Sequence, residues 1–141
     1  MSTEQNKTLF RRFLDEAANK GNFAAIDELV APSFVEHEEL PPNIPPGIEG
    51  VKVFFAEWRK GFPDGKVTVE LVIAEGDLVA CYEVWSGTHT GEFTGIPPSG
   101  KPVNFKVVDI VRIADNQMVE HWAVSDNLAL MQQIGVIPAQ G

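Results

Sequence analysis

Apolar residues at helical spacing open the chain and predict a first helix over about residues 3–20. They recur at i, i+3, i+4 and i+7, which places their side chains on one stripe of a helix: Phe10, Phe13, Leu14 and Ala17. Ser2 and Gln5 have capping-box spacing at its start, and Gly21 can adopt the left-handed conformation that ends a helix. The first element is therefore expected to be an amphipathic helix with defined ends.

Two further helices are expected before the periodicity changes. The second starts near Asn22 and stops before Pro32, because proline cannot continue a helix. Its apolar positions are Phe23, Ile26 and Val30. A stiff proline-rich loop, residues 40–47, precedes a third helix that ends at Gly61. The apolar positions of this third helix are Val51, Phe54, Phe55 and Trp58.

Alternation with a period of two then predicts strands in the second half of the chain. The expected strands are residues 67–73, 78–89, 103–113 and 118–124. A second proline-glycine loop, residues 95–102, separates the two hairpins, and a short helix ends at Gly135. This order predicts an α+β fold with three N-terminal helices packed on a strongly curved, mostly antiparallel sheet. The expected shape is a cone-shaped barrel with an internal pocket, shaped at its entrance by the two proline-rich loops.

The last hairpin allows a prediction of which side chains share a face. If Asp115 and Asn116 form a two-residue turn, Asp109 lies opposite Trp122. The face that carries Asp109 would then hold Phe105, Val107, Val111, Ile113, Met118, Glu120, Trp122 and Val124. His121 and Arg112 would be diagonal neighbours on the other face, as a structural polar pair or subunit contact. A three-residue turn or a bulge would exchange the faces of one strand.

Asp109 is the chief chemical candidate. It is surrounded by Val107, Val108, Ile110 and Val111, and desolvation there would raise its pKa toward values useful for acid/base chemistry. The alternative is a structural carboxylate that is paired with an arginine or hydrogen-bonded within the sheet. Asp126 is a second candidate, although its position before the terminal helix favours a helix cap.

The remaining candidates are residues expected around the pocket. Phe105, Val107 and Trp122 would form its wall, with Glu120 as a weaker candidate for chemistry than Asp109. His37 and His89, if they reach the mouth, would donate a hydrogen bond to a developing enolate oxygen. The three histidines lack the spacing of a metal site, so we expect no metal.

Composition narrows the functional classes. The 141 residues suit a single domain, 1–141, and the net charge of −9 argues against nucleic acid and anionic membrane surfaces as partners. A neutral ligand is therefore preferred. Cys81 is the single cysteine, which excludes intrachain disulfides and multi-cysteine zinc sites. The polar N-terminus and the absence of a long apolar run lead us to expect a cytoplasmic protein.

Several motifs in the second half of the chain resemble one known family. They are GTHTGEF at 87–93, GIPPSGKP at 95–102, DIVRI at 109–113, EHW at 120–122 with Asp126, and MQQIG at 131–135. Together they resemble the SnoaL-like polyketide cyclases, and the similarity runs from the opening helices to residue 135. The resemblance implies the nuclear transport factor two-like fold around a deep apolar pocket, in homodimers or higher oligomers.

The resemblance also implies a chemistry. Family cyclases close a polyketide ring by intramolecular aldol condensation without a metal or organic cofactor. An aspartate near the end of the last strand acts as acid/base, with a histidine on the neighbouring strand. Matching without gaps places that aspartate at Ala123 and that histidine at Asp109, so this chain differs at both positions. The role of the family aspartate would then pass to Asp109 or Asp126, or the cyclase activity would be absent.

The leading expectation is a cofactor-independent acid/base enzyme that acts on a small hydrophobic carbonyl compound. One rival is an isomerase or hydrolase of a small apolar molecule in the same pocket. A second rival is a ligand-binding or dimerisation module without turnover, in which Asp109 is only a structural ion-pair partner. Substitution of Asp109 by asparagine distinguishes the enzyme hypothesis from the module hypothesis.

Overall fold

The computed structural model describes residues 2–138 and begins with the expected helix. Helix α1, Thr3–Leu14, starts with a capping box in which the Gln5 amide donates to Ser2 Oγ and the Ser2 amide donates to Gln5 Oε1. It continues as one π-helical turn, Asp15–Asn19. Within residues 2–138, no helix is both long and apolar enough to cross a membrane.

The second helix is shorter than expected and leads directly into a strand that the sequence reasoning missed. Helix α2, Ala24–Leu29, ends where Val30 adopts extended backbone angles, and strand β1 is Val30–Glu36. The expectation that Val30 lies in the helix is therefore wrong. Pro32 cannot donate a ladder hydrogen bond, but β1 is an edge strand, where a proline is tolerated.

One five-stranded sheet carries the rest of the fold. Helix α3 is Gly47–Gly61, and the remaining elements are β2 (Lys66–Glu75), β3 (Leu78–Thr88), β4 (Pro102–Ala114), β5 (Gln117–Ser125) and helix α4 (Asn127–Gln133). The strand order is β1-β5-β4-β3-β2. All neighbours are antiparallel except β1, which runs parallel to β5. The α+β class is confirmed, with a mixed sheet that does not close into a barrel.

A β-bulge in β5 determines which side chains face the helices. Next to the turn, Ile113 pairs with Met118 as expected, but Arg112 then pairs with Glu120, so Val119 is an additional residue. From this point the faces of β5 are exchanged, and Asp109 lies opposite Ala123 rather than Trp122. The predicted register beyond the bulge is thus wrong. His121 and Ala123 share the inner face with Asp109, whereas Glu120 and Trp122 lie on the outer face.

An aromatic cluster joins the helices to the inner face of the sheet. Phe13 of α1 meets the Phe55 ring edge-on at 5.5 Å, and Trp58 of α3 meets Trp85 of β3 at 4.9 Å between ring centroids. Burial of each such ring stabilises the fold by about 1.5–3 kcal/mol. These large rings meet at their edges and leave a space between α3 and the inner face of β4 and β5.

The proline-rich loop packs closely on the N-terminal part of α3. Gly50 is buried there, and a Cβ at this position would overlap the carbonyl oxygen of Pro45. Glycine therefore allows the loop backbone to approach the helix without a side chain between them. Pro45 and Ile44 of this loop border the internal space, so the loop forms part of its wall.

Candidate active site

An internal cavity of about 260 Å³ lies between the helices and the inner face of the sheet. This is close to the lower end of the range for small-molecule sites, roughly 300–1,000 Å³. Aromatic side chains dominate its helical side and floor: Phe13, Phe54, Phe55, Trp58, Trp85 and Phe105. Asp109 and His121 meet the cavity at one corner of the sheet, and Glu57 of α3 and Glu39, which precedes the proline-rich loop, also border it. The site is therefore a mostly apolar space in which the sheet provides one ionisable corner.

Four adjacent strands place one titratable side chain each into a hydrogen-bonded row across the inner face. His121 of β5 lies at the centre, with its Nε2 2.6 Å from Asp109 Oδ1 on β4. Its Nδ1 lies 2.7 and 2.8 Å from the two carboxylate oxygens of Glu36 on β1. Glu83 of β3 extends the row through a hydrogen bond between its side chain and that of Asp109. The parallel edge strand β1 and the bulge in β5 are both needed to assemble this row.

The geometry of the row requires a protonated His121. Ionised carboxylates only accept hydrogen bonds, so both ring nitrogens must carry a hydrogen to satisfy Glu36 and Asp109. Burial lowers the pKa of His121, but the hydrogen bonds to the two carboxylates outweigh it and raise the pKa to about 10. Burial likewise opposes ionisation of Asp109, yet the hydrogen bonds from His121 and Glu83 lower the pKa of Asp109 below its ordinary value, so the expectation of a raised pKa is wrong. At neutral pH the pair is an imidazolium and a carboxylate.

Glu83 has the opposite protonation state. Its side chain is fully buried, and desolvation together with the neighbouring Asp109 charge raises its pKa to about 10. Trp85 Nε1 donates to Glu83 Oε1 at 2.8 Å, whereas Oε2 receives no donor. A proton on Oε2 turns this oxygen into the donor that Asp109 accepts. Glu83 is therefore a neutral acid behind Asp109, at the end of the row away from the cavity.

Glu38 lies beside the other end of the row and borders the cavity. Its backbone amide donates to Glu36 Oε1 at 3.0 Å. Burial, assisted by the negative charges of Asp109 and Glu36, raises the pKa of Glu38 to about 7, against the lowering effect of His121 and a hydrogen bond with Ser125. The corner thus combines a carboxylate that is ionised at neutral pH with one that is close to half-protonated.

The same corner contains residue types that bind cations, but its histidine has no free electron pair for a metal ion. Glu36, Glu38 and His121 each place a candidate ligand atom within 4.8 Å of the others. Both nitrogens of His121 donate hydrogen bonds to carboxylates, so the protonated ring offers no lone pair to a metal. This arrangement suits proton chemistry better than metal coordination.

The structure places three of the sequence candidates at the cavity. Asp109, Phe105 and Val107 border it, and Asp109 is only 6% exposed. Asp126 lies outside the lining and caps α4, where its Oδ1 accepts the Ala129 amide at 3.0 Å. Asp126 is therefore a helix cap, the role that its position before α4 favoured.

Four other candidates lie away from the cavity, which corrects the expected pocket wall. Trp122 and Glu120 are on the outer face because of the bulge, and His37 stacks on the Trp122 ring at 4.8 Å. Glu120 accepts hydrogen bonds from Arg112 and His37 there. His89 is buried under the second proline-rich loop, where its Nδ1 lies 2.9 Å from Ser99 Oγ. The expected pair of Arg112 and His121 is absent because the two residues lie on opposite faces.

Sequence reasoning did not select Glu36, Glu38, Glu83 or His121. Glu83 carried the same signal as Asp109, since it is a single carboxylate between Tyr82 and Val84 in an apolar strand. Glu36 ends a strand that was not expected and Glu38 lies just beyond it, so nothing assigned them a face. The face of His121 depended on the bulge, which adds one residue without a glycine or proline to mark it.

Glu83→Gln should make the free energy of unfolding less dependent on pH. A group whose folded pKa is raised contributes stability below its unfolded pKa, and this stability is lost as pH rises through the folded value. For Glu83 that window runs from about 4.5 to about 10, and the loss is at most about 1.4 kcal/mol per pH unit. A glutamine amide keeps a donor toward Asp109 without titrating, so the variant should gain at least about 1 kcal/mol relative to wild type between pH 5 and 8.

Urea unfolding at several pH values, followed by tryptophan fluorescence, measures this difference. The raised pKa of His121 contributes a similar decline between about 6.5 and about 10 in both proteins, so it cancels in the comparison. Glu75→Gln, at an exposed position of β2, is the matched control and should follow wild type. A constant difference between Glu83→Gln and wild type across this pH range would show that Glu83 is ionised in the folded protein.

Comparisons with known proteins agree with this fold. The family model of SnoaL-like polyketide cyclases matches residues 8–134. Nogalonic acid methyl ester cyclase from Streptomyces nogalater is 27% identical over 120 residues, which span 84% of this chain and 90% of that protein. TsrD from Streptomyces laurentii has a TM-score of 0.86 at 28% identity and covers 97% of this chain, with 99% of TsrD covered. A SnoaL-like protein from Jannaschia sp. CCS1 has a TM-score of 0.84 at 33% identity, with 96% of this chain and 95% of that chain covered. The chain therefore belongs to the SnoaL-like polyketide cyclase family.

Proposed function

We propose that the protein is a cofactor-independent acid/base enzyme that acts on a small hydrophobic carbonyl compound by an intramolecular aldol reaction. The observation that carries this proposal is the position of Asp109 at the wall of an apolar cavity, with its Oδ1 2.6 Å from His121 Nε2. The similarity to nogalonic acid methyl ester cyclase supports a ring-closing reaction of this class. Without the cavity, the same carboxylate would be only a structural ion-pair partner.

In this mechanism Asp109 removes a proton from the carbon next to a carbonyl group of the bound substrate. The electron pair that is released forms a carbon–carbon bond with a second carbonyl carbon of the same molecule, whose oxygen then takes up a proton. The imidazolium of His121 keeps Asp109 ionised before the reaction and lies close to the developing negative charge. Positioned acid/base groups contribute about 10²–10⁴-fold to such rates. The aromatic wall holds the flexible substrate so that its two reacting carbons meet.

The charges around the cavity favour a neutral substrate. Carboxyl groups of Glu36, Glu38, Glu39, Glu57 and Asp109 border it, and His121 is the cationic side chain among the residues that line it. An anionic substrate would be repelled both by these groups and by the net charge of −9. A ketone or an ester fits this environment better than a free acid.

One observation favours a ligand-binding module without turnover. Both His121 and Glu83 hydrogen-bond to Asp109, so the carboxylate already has two partners within the protein before a ligand arrives. In that case the row would only stabilise the sheet and the cavity would only bind. An isomerase or hydrolase would use the same carboxylate on a different bond, and product analysis distinguishes it from a cyclase.

Asp109→Asn should lower the rate of α-hydrogen exchange in 2-tetralone, a neutral bicyclic ketone, by about 100-fold or more. The reason is that an amide cannot accept the proton that leaves the carbon. Exchange in D2O is followed by proton NMR. The matched control is Asp27→Asn, because Asp27 is exposed on α2 and pairs with Lys52 at 2.8 Å, away from the cavity lining.

Two outcomes would contradict the acid/base assignment. A folded Asp109→Asn protein that exchanges 2-tetralone at the wild-type rate would show that Asp109 is not the base. Wild-type protein that binds 2-tetralone, detected by quenching of Trp58 and Trp85 fluorescence, but never exchanges it would favour the binding module. Thermal unfolding of the variant separates loss of chemistry from loss of fold.

We propose further that a second copy of the chain covers the outer face of the sheet. Two cross-strand rows of apolar side chains follow the register there: Leu71, Tyr82, Val108 and Val124 form one, and Ile73, Ala80, Ile110 and Trp122 form the other. Leu71, Ile73 and Val124 are each about two-thirds or more exposed. A continuous apolar patch of this kind is typical of a protein interface. The resemblance to the family also implies homodimers or higher oligomers.

Val124→Lys should convert the wild-type oligomer into a monomer. Val124 is 77% exposed, so a lysine is tolerated in the isolated chain but places a charge in the proposed interface. Light scattering should give at least twice the 15.5 kDa chain mass for wild type and 15.5 kDa for the variant. Ala56→Lys on the exposed side of α3 is the control and should keep the wild-type mass. A monomeric wild-type protein at about 50 μM, a concentration well above the Kd of ordinary dimers, would contradict this proposal.

A further inference from the structure

Glu38 lies at the active-site corner, beside the hydrogen-bonded row but not a member of it. It lies two residues beyond the end of β1, and its backbone amide is fixed by the hydrogen bond to Glu36 Oε1. Its carboxyl group lies within 4.8 Å of a ring nitrogen of His121 and of a carboxylate oxygen of Glu36. It is half-buried and borders the cavity, so it can meet both a bound molecule and water.

The members of the row itself cannot easily deliver a proton to a substrate. Both nitrogens of His121 hold their hydrogens toward Asp109 and Glu36. Glu83 has a proton, but it is fully buried behind Asp109 and outside the cavity lining. Asp109 is ionised and can only accept. The reaction therefore lacks a proton donor within the row.

The surroundings of Glu38 favour its protonated form, so that Glu38 can act as the proton donor that the row lacks. Asp109 from β4 and Glu36 from β1 disfavour a further negative charge, and His121 from β5 partly offsets them. Ser125, at the end of β5, hydrogen-bonds the Glu38 carboxyl, while Glu39 and Glu57 add two more carboxylates to the cavity lining. Together with burial, these groups raise the pKa of Glu38 to about 7. Environments that separate the pKa values of two carboxyl groups in this way are typical of an acid and a base that work together.

We propose that Glu38 is the catalytic acid that complements Asp109, delivering its proton to the carbonyl oxygen of a substrate bound in the cavity. This inference rests on the proposed function. Asp109 takes the proton from the α-carbon, the released electron pair enters the new bond, and the carbonyl π electrons move to the oxygen that Glu38 protonates. Afterwards Glu38 is a carboxylate and Asp109 is an acid, and both return to their starting states by proton exchange at the cavity.

The test combines a titration with a rate profile. The protein is labelled with ¹³C at the glutamate side-chain carboxyl, and the Glu38 resonance is identified by its loss in Glu38→Gln. It should titrate near pH 7. Between pH 5.5 and 8.5, the buffer-corrected exchange of 2-tetralone by wild type should fall as Glu38 ionises. In Glu38→Gln the rate should be about 100-fold lower and should show no such fall.

Two further variants keep the result interpretable. Glu38→Asp retains a titratable group on a shorter side chain, so it should keep the alkaline fall at a reduced rate even if the glutamine variant is unstable. Glu75→Gln is the control for removal of one exposed carboxylate and should match wild type in rate and profile. Thermal unfolding checks that each variant is folded.

The outcomes separate this inference from the proposed function. If Asp109→Asn loses exchange while Glu38→Gln keeps the wild-type rate and alkaline fall, the role of Glu38 is overturned and that of Asp109 stands. A Glu38 resonance that titrates near the ordinary glutamate value also overturns it. If Glu38→Gln loses exchange while Asp109→Asn does not, Glu38 is confirmed and the assignment of Asp109 fails. Absence of exchange by wild type counts against both.

Discussion

The rest of the site depends on one interaction, the burial of the His121 side chain between two carboxylates. Desolvation of a charged ring is costly, and it is offset here only because Asp109 and Glu36 accept from both of its nitrogens at 2.6–2.8 Å. Removal of either carboxylate would leave one N–H group of the buried ring without its acceptor. The bulge in β5 and the parallel pairing of β1 supply this geometry, so the topology and the chemistry of the corner are inseparable.

The same interaction explains why three neighbouring carboxyl groups differ in protonation state. Asp109 accepts from an imidazolium and is ionised, whereas Glu83 is buried against that negative charge and keeps its proton. Glu38 lies at the cavity, where burial and two like charges compete with His121. A buried network of this kind is weak evidence for stability, because well-packed apolar residues often stabilise as much. Its value is that it fixes protonation states beside a space large enough for a small molecule.

Much of the fold could be predicted from periodicity, and the site only in part. Phe10, Phe13, Leu14 and Ala17 repeat over about two helical turns, and a capping box marks the start, so the first helix has a strong signal. β1 has seven residues, begins within an apolar helical pattern and contains a proline, so its local sequence does not reveal a strand. Asp109 could be found because a carboxylate among valines is costly to bury. The partners of Asp109 could not, because their faces follow from the bulge and from a pairing between residues far apart in sequence.

The protonation state of His121 tests the account most directly. In protein labelled with ¹⁵N at histidine, long-range proton–nitrogen spectra distinguish an imidazolium from either neutral tautomer. The account predicts that at pH 8 both ring nitrogens of His121 carry hydrogens and that the ring loses its proton only near pH 10. A neutral ring at pH 8, titrating near the ordinary histidine value of about 6.5, would contradict the buried ion pair and the catalytic roles derived from it.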